Sequence, residues 1–374
     1  MFKCWLIYFS LVPLLSSTSL EEDACYSKHK ASSYLVSGDW KPMSSPKTTY
    51  GNLKCPLELA GQTPTEEFKC LLDHQWEATT CKSVPFDAIT FLSKLKSKLI
   101  LLSGDSVTKQ TYIALICHLY EHAEPDLSSQ NIPWTMPVKL VDNEWYYTHR
   151  PHGTFLDDIC FHFKYNVTIC CCMDPTDYKK DADIVIWNGR GLHYHRINES
   201  NTTAYGFVMK GDPLQQTPEA YRNSLNNIAA YVKDHPSKLV VYRETSGQSF
   251  PGSYNGDYDN RDPTWIVRST QRCLPRFEPI NVTIKGNTSV TRSWSHMDTW
   301  RQRMEKEIIL HEYKIPFLSI YETQFNLPCN GTGHFPSECT HFYLPGVPDA
   351  WVAMLYNFVL HSPLVEAWRE SWAD

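Results

Sequence analysis

Five apolar runs alternate along this chain with stretches of helical periodicity, and that alternation restricts the fold more than any other feature. The runs cover 98–103, 166–173, 182–188, 237–245 and 314–322. Helices are predicted between or after them at about 107–122, 218–235, 297–313 and 349–361. Thr217 is placed to cap the second helix, with Pro218 at its first position. In the first helix, Tyr112, Leu115, Ile116 and Leu119 recur on one face. Strands joined through helices pair in parallel, and a parallel sheet needs both faces covered. The expected architecture is therefore α/β, with a largely parallel sheet between helical layers.

Polar residues fall where such a sheet builds a site. The run Lys98-Leu99-Ile100-Leu101-Leu102-Ser103 delivers Gly104-Asp105-Ser106 to a helix start. A hydroxyl there is exposed in a cleft and lies near backbone N–H donors that favour developing negative charge. Asn188-Gly189-Arg190-Gly191 closes a second strand, and Arg243-Glu244-Thr245 closes a third. Glu338-Cys339-Thr340-His341 follows the last strand and supplies an acid and a base. All four groups sit at or beyond carboxyl ends of strands, the edge at which open α/β sheets bind ligands.

The N-terminus sets the compartment. Lys3 precedes an apolar stretch from Cys4 to Leu15, and Ser16 to Ser19 offer a cleavage site, so residues 1–19 read as a signal peptide. The stretch is short for a bilayer span and Pro13 interrupts it; a retained signal anchor is the alternative, and only that would attach the protein to a membrane. Cys4 leaves with the leader, so 12 of the 13 cysteines stay in the mature chain. Six Asn-x-Ser/Thr sequons stand at Asn166, Asn198, Asn201, Asn281, Asn287 and Asn330. Leader, cysteines and sequons together predict the secretory pathway, either secreted or in the Golgi lumen.

No repeat, low-complexity tract or charge run divides the remaining residues, so 20–374 reads as one domain, with 20–82 as its cysteine-rich N-terminal segment. A formal charge of −6 gives no basic footprint for nucleic acid. The 12 tryptophans and 21 tyrosines suit stacking on sugar rings, and equally suit a large core. Cys170-Cys171-Cys172 with His193 and His195 does not read as zinc, because adjacent strand residues point to opposite faces and the spacing of a metal knuckle is missing. No metal is expected, and disulfides explain the triplet better.

The blocks SGDSVTKQTYIALICHL, ADIVIWNGRG, LVVYRETSGQSFPGSYNGDYD and ECTHFYLPGVPDAWVAMLYNFVL resemble, in order, those of the PC-esterase family, which includes the trichome-birefringence-like polysaccharide O-acetyltransferases. The N-terminal stretch with Gly38-Asp39-Trp40, Cys55-Pro56, Phe68-Lys69-Cys70 and Cys81 is similar to the family's cysteine-rich segment. The resemblance implies an SGNH-type α/β/α hydrolase fold and a Ser-His-Asp triad. It makes Ser106 the nucleophile and His341 its general base. It gives the oxyanion to the Ser106 N–H and the Asn188 amide, with Gly189 and Gly191 letting the backbone approach substrate. Arg243 matches a strand-ending arginine of the family. It is a candidate to orient a carboxylate, hold a tyrosine or contact an acidic glycan, against a salt bridge with Glu244 or another carboxylate. Arg190 is a second candidate for substrate binding, and Lys109 is similarly placed. By family position Cys25 pairs with Cys81, Cys55 with Cys117, and Cys273 with Cys339.

The chain departs from the family at several points. Glu338 stands where the triad acid is an Asp, with Asp349 as the fallback carboxylate, although Asp349 follows Pro348 and looks like a helix-start residue. Lys109 and Thr111 replace an Arg and a Gln after the nucleophile. Tyr343 replaces a cysteine, so Cys70 pairs elsewhere or stays free, and pairings of Cys160, Cys170, Cys171, Cys172 and Cys329 stay open. The resemblance implies an O-acetyltransferase acting on glycans through an acyl-serine, with a glycan acceptor, an acetyl donor as co-substrate and no cofactor. A carbohydrate O-acetyl esterase uses the same residues with water as acceptor. A decayed glycan-binding protein is the reading from another class.

Overall fold

The computed structural model describes residues 24–26, 36–44, 70–122, 140–141, 144–145, 159–171, 181–194, 217–250, 273, 280–284, 288–292, 299–324, 327–328, 334–335 and 338–370. At 121, 140–141, 144–145, 159, 280–284, 288–292, 334–335, 338 and 369 it describes backbone only. The leader at 1–19 lies outside the described residues.

Six strands form one sheet: β1 (Leu99–Ser103), β2 (Ile159–Phe163), β3 (Val167–Cys171), β4 (Ile184–Trp187), β5 (Leu239–Arg243) and β6 (Phe317–Leu318). Their order across the sheet is β6-β5-β4-β1-β3-β2. All neighbours are parallel except β2 and β3, which form an antiparallel hairpin. No strand is expected from the sequence at β2. Its hairpin turns through Tyr165 and Asn166, both at positive φ, without the glycine that usually marks such a turn. The stretch at 314–322 was expected to be one long strand and narrows to two paired residues. Beyond them the N–H groups of Ile320 and Tyr321 both donate to Glu244 Oε2 at 3.0 Å, which diverts them from a ladder.

Helices lie at α1 (Ala88–Lys94), α2 (Ser106–Leu119), α3 (Pro218–Asp234), α4 (Trp300–Glu305) and α5 (Val347–His361). Thr217 caps α3 as expected, accepting the Ala220 N–H at 3.2 Å. The expected helix at 297–313 starts as α4 and continues as a π-helix over Lys306–Glu312, closed by Tyr313 N–H to Ile308 O at 3.0 Å.

Alternation along the strands sorts the core into two layers. Ile100, Leu102, Ile169, Cys171, Ile184, Ile186 and Val241 pack with α1, α2 and α5. Leu101, Cys170, Val185, Trp187, Val240 and Tyr242 pack on the other face with α3, α4 and the π-helix. This mixed, mostly parallel sheet between helical layers is the expected α/β fold, consistent with an SGNH-like arrangement. Cys170 and Cys171 fall on opposite faces, the geometry that argued against a metal knuckle.

Disulfides join Cys25 to Cys81 and Cys273 to Cys339, as the resemblance implied. Cys160 pairs with Cys170, its register partner across the β2–β3 hairpin. Cys70, Cys117 and Cys171 are also disulfide-bonded, so Cys70 is not a free thiol. Cys55, Cys172 and Cys329 lie outside the described residues. Among the described residues no helix is long and apolar enough to cross a membrane.

Candidate active site

Parallel order places the carboxyl ends of β1, β4 and β5 side by side, so Ser106, Asn188 and Arg243 come together from three stretches of sequence. The turn from β1 into α2 is tight. Gly104 has φ +155°, and a Cβ there would meet Thr108 Oγ1 at 2.3 Å and Asn188 Cβ at 2.9 Å. Asp105 caps α2, its Oδ1 accepting the N–H groups of Val107 at 3.1 Å and Thr108 at 3.0 Å. The N–H of Ser106, first in the helix, is left without an intrahelical acceptor. Its side chain is exposed at the positive end of α2.

His341 arrives on β7 (Glu338–Phe342), and its Nε2 lies 2.6 Å from Ser106 Oγ. Several contacts fix that strand. Gln110, one turn after Ser106 on the same face of α2, donates from Nε2 to the Phe342 carbonyl at 2.6 Å and accepts the Phe342 N–H at 3.0 Å. On the other edge Ser249 N–H donates to the Cys339 carbonyl at 2.9 Å, and Gln248 Nε2 donates to Thr340 Oγ1 at 3.1 Å. The Cys273–Cys339 disulfide and Phe250 form a small cluster beneath the strand. Sequence reasoning passed over Gln110. Its i, i+4 spacing from the serine was the available signal.

Of the two candidate acids, Glu338 is on β7 with its side chain outside the described residues. Asp349 acts at the start of α5, where Oδ2 accepts the Gly346 N–H at 2.6 Å and Oδ1 lies 2.7 Å from His118 Nε2.

Asn188 is fully buried. Its Nδ2 donates to the Arg243 carbonyl at 3.0 Å and Thr245 Oγ1 at 3.2 Å, and its Oδ1 accepts the Arg190 N–H at 3.0 Å. Both amide hydrogens thus have acceptors inside the fold. The Gly189 N–H donates to Tyr242 OH at 3.3 Å, and Gly191 packs so tightly that a Cβ would sit 2.3 Å from Thr245 Oγ1. Arg190 is exposed on the same turn, in the left-handed region at φ +56°.

Arg243 corrects an expectation. Only 1 % exposed, it has no surface to offer a glycan. Its Nη2 donates to Thr108 Oγ1 at 2.8 Å and lies 3.5 Å from Asp105 Oδ1, with Trp351 5.5 Å from its Cζ. Of the alternatives left open, the structure shows the salt bridge with another carboxylate, Asp105, which is also the cap of α2.

This arrangement offers a hydroxyl, an imidazole in hydrogen-bond reach and a helix N-terminus, the parts required for acyl transfer through a serine. No family model matches the chain. A rice protein named xylan O-acetyltransferase 12 (Oryza sativa subsp. japonica) is 22 % identical over 360 residues, covering 87 % of this chain and 69 % of that protein. Two Arabidopsis thaliana proteins align similarly. Trichome birefringence-like 6 is 24 % identical over 360 residues, covering 87 % of this chain and 70 % of its own length. Trichome birefringence-like 42 is 23 % identical over 344 residues, covering 87 % and 89 %. The curated homologues of this chain are therefore xylan O-acetyltransferases and trichome birefringence-like proteins, the PC-esterase family, at about 22 % identity over most of its length.

Proposed function

We propose that the protein is a glycan O-acetyltransferase of the secretory pathway that works through an acyl-serine on Ser106. The observation that carries this reading is the 2.6 Å approach of His341 Nε2 to Ser106 Oγ at the N-terminus of α2. Ser106 Oγ attacks the acetyl carbonyl while His341 takes its proton. The oxyanion forms beside the Ser106 N–H, with Asn188 held next to it by its bonds to Arg243 and Thr245. Collapse expels the donor's leaving group, which takes the proton from His341. A sugar hydroxyl then gives its proton to His341 and attacks the acyl-serine; collapse breaks the bond to Ser106 Oγ, which takes that proton back from His341, and the acetylated glycan leaves. Glu338 orients the imidazole in this scheme, and the exposed Arg190 borders the acceptor side. A polysaccharide acceptor is supported by the names of the rice relatives.

A lumenal or secreted location is supported by the leader, by three disulfides among the described residues, and by the sequon residue Asn166, which is exposed on the β2–β3 turn. Asn281 lies on a strand with its side chain undescribed, and the other four sequons lie outside the described residues. A mass shift on enzymatic deglycosylation of the secreted protein checks this part.

Ser106 is exposed, so water also reaches the acyl-serine, which favours the esterase as second reading. Two experiments decide. Ser106→Ala should abolish fluorophosphonate labelling and lower turnover roughly 10³-fold or more, and retention of activity within about tenfold would discard the nucleophile. With an acetyl-ester donor and rising glycan acceptor, a transferase forms acetylated glycan at the expense of free acetate. Deacetylation of a pre-acetylated glycan with no acceptor product retires the transferase in favour of the esterase.

A further inference from the structure

Behind the Asn188–Gly191 turn lies a buried acid that this chemistry does not use. Glu305, the last residue of α4, is fully buried. Its Oε1 accepts the Tyr242 hydroxyl at 2.8 Å and, closer still, the hydroxyls of Tyr221 and Thr245. Its Oε2 accepts the Thr245 N–H at 3.0 Å. The donors come from α3, from β5 and from the segment that follows β5. Gln302, on the same helix, adds a bond from Nε2 to the Thr245 carbonyl at 2.9 Å, so α4 holds residue 245 at both its N–H and its C=O.

A hydroxyl has one hydrogen, and once it is given to Glu305 only lone pairs face the other way. The Thr245 hydroxyl must then accept from Asn188 Nδ2, and the Tyr242 hydroxyl must accept from the Gly189 N–H. The carboxylate thus keeps both hydroxyl hydrogens turned away from the turn, so that lone pairs face its N–H donors, without touching the turn itself. Gly191 packs directly on the Thr245 and Tyr221 hydroxyls, with no room for a side chain between them. Burying a carboxylate is costly unless donors surround it, and here they do. A glutamine in its place would aim an amide donor at donors. Turning the Thr245 hydroxyl to relieve that clash would set its hydrogen against Asn188 Nδ2.

We infer that Glu305 is a positioning residue for the oxyanion side of the Ser106 site, acting through Thr245 and Tyr242 on Asn188 and Gly189. The inference rests on the acyl-serine reading above for its catalytic consequence.

The test uses the full secreted chain in four forms: unmutated, Glu305→Gln, Thr245→Val and Thr245→Ser. Fluorophosphonate labelling counts competent Ser106 sites, and kcat and KM for an aryl acetate are expressed per labelled site. Hydrogen–deuterium exchange is followed at 188–191 and in β5. Glu305→Gln and Thr245→Val should lower kcat roughly 10- to 100-fold per site while KM changes by less than about twofold. Thr245→Ser keeps the hydroxyl and should restore kcat. Exchange should rise at 188–191 and not in β5. Loss of folded protein alone would change the number of sites and not kcat per site. If Glu305→Gln does not fold, Thr245→Val, which leaves the acid in place, decides. Equal kcat per site in Thr245→Val and Thr245→Ser overturns the inference. If the unmutated protein does not label at Ser106, the acyl-serine reading is what fails. Unchanged exchange at 188–191 in both variants would then separately overturn the role of Glu305.

Discussion

The side-chain amide of Gln110 and the backbone of Phe342 exchange two hydrogen bonds, at 2.6 and 3.0 Å, as two strands of a sheet would. The helix that carries Ser106 thereby grips the strand that carries His341, one residue from His341 itself. Gln110→Leu removes two hydrogen bonds to buried backbone groups, at a cost of about 0.5–1.5 kcal/mol each. The variant should melt earlier and react with fluorophosphonate far more slowly per folded molecule than the parent. A labelling rate equal to the parent's would mean that β7 is held by its other edge alone.

Gly104→Ala should be more disruptive than an alanine in a turn normally is. The residue sits at φ +155°, and the added Cβ would lie 2.3 Å from Thr108 Oγ1. Strain of this kind costs on the order of 1–3 kcal/mol, and relieving it pushes Ser106 away from His341. Urea unfolding and labelling kinetics should both change, and an unaffected labelling rate would contradict the tight turn.

The two candidate acids separate by what their loss affects. Glu338→Gln should slow the reaction strongly, because an amide stabilises the wrong imidazole tautomer, whereas Glu338→Asp should keep measurable activity. Asp349→Asn should chiefly cost stability, about 1 kcal/mol for a weakened helix start, since Asp349 holds Gly346 and His118. Rates ranked the other way would move the triad role to Asp349.

Burial pushes the Glu305 carboxyl from 4.5 up to about 7, and nearby Glu244 adds to the shift, while hydrogen bonds from Thr245 and Tyr221 oppose it. The other groups facing it are Tyr242 and Arg243 on β5. The folded chain therefore holds this proton more tightly than the unfolded chain does. Its stabilising contribution is full below about 4.5 and is lost as pH rises through about 7. Relative to Glu305→Gln, the parent should become progressively less stable across that window in urea titrations. Parallel pH profiles for the two proteins would show that the carboxyl titrates normally.

The sheet and the strand–turn–helix at Ser106 were legible because both are local. An apolar run ending in Gly-Asp-Ser signals strand, turn and helix within a dozen residues, and Thr217-Pro218 signals its own helix start. β2 was missed because Tyr165 and Asn166 turn without glycine, so nothing punctuates the hairpin. Glu305 was missed for a different reason. Beside Lys306 and Glu307 it reads as part of a solvated charged face, and only the approach of Tyr221 and Tyr242 from elsewhere in the chain makes it interior. Arg243 was visible as a strand-ending cation, but its partner Asp105 is read first as a helix cap. A single sequence does not show that the same carboxylate does both.

Ser106 and His341 are 235 residues apart in the chain. A ribosome delivers Ser106 long before His341, so the growing polypeptide carries the serine for some time without the imidazole beside it. The 2.6 Å contact forms only when the strand that bears His341 docks on Gln110, with the Cys273–Cys339 bond beside it. The order of residues thus makes this contact one that the fold can complete only after nearly the whole chain has been made.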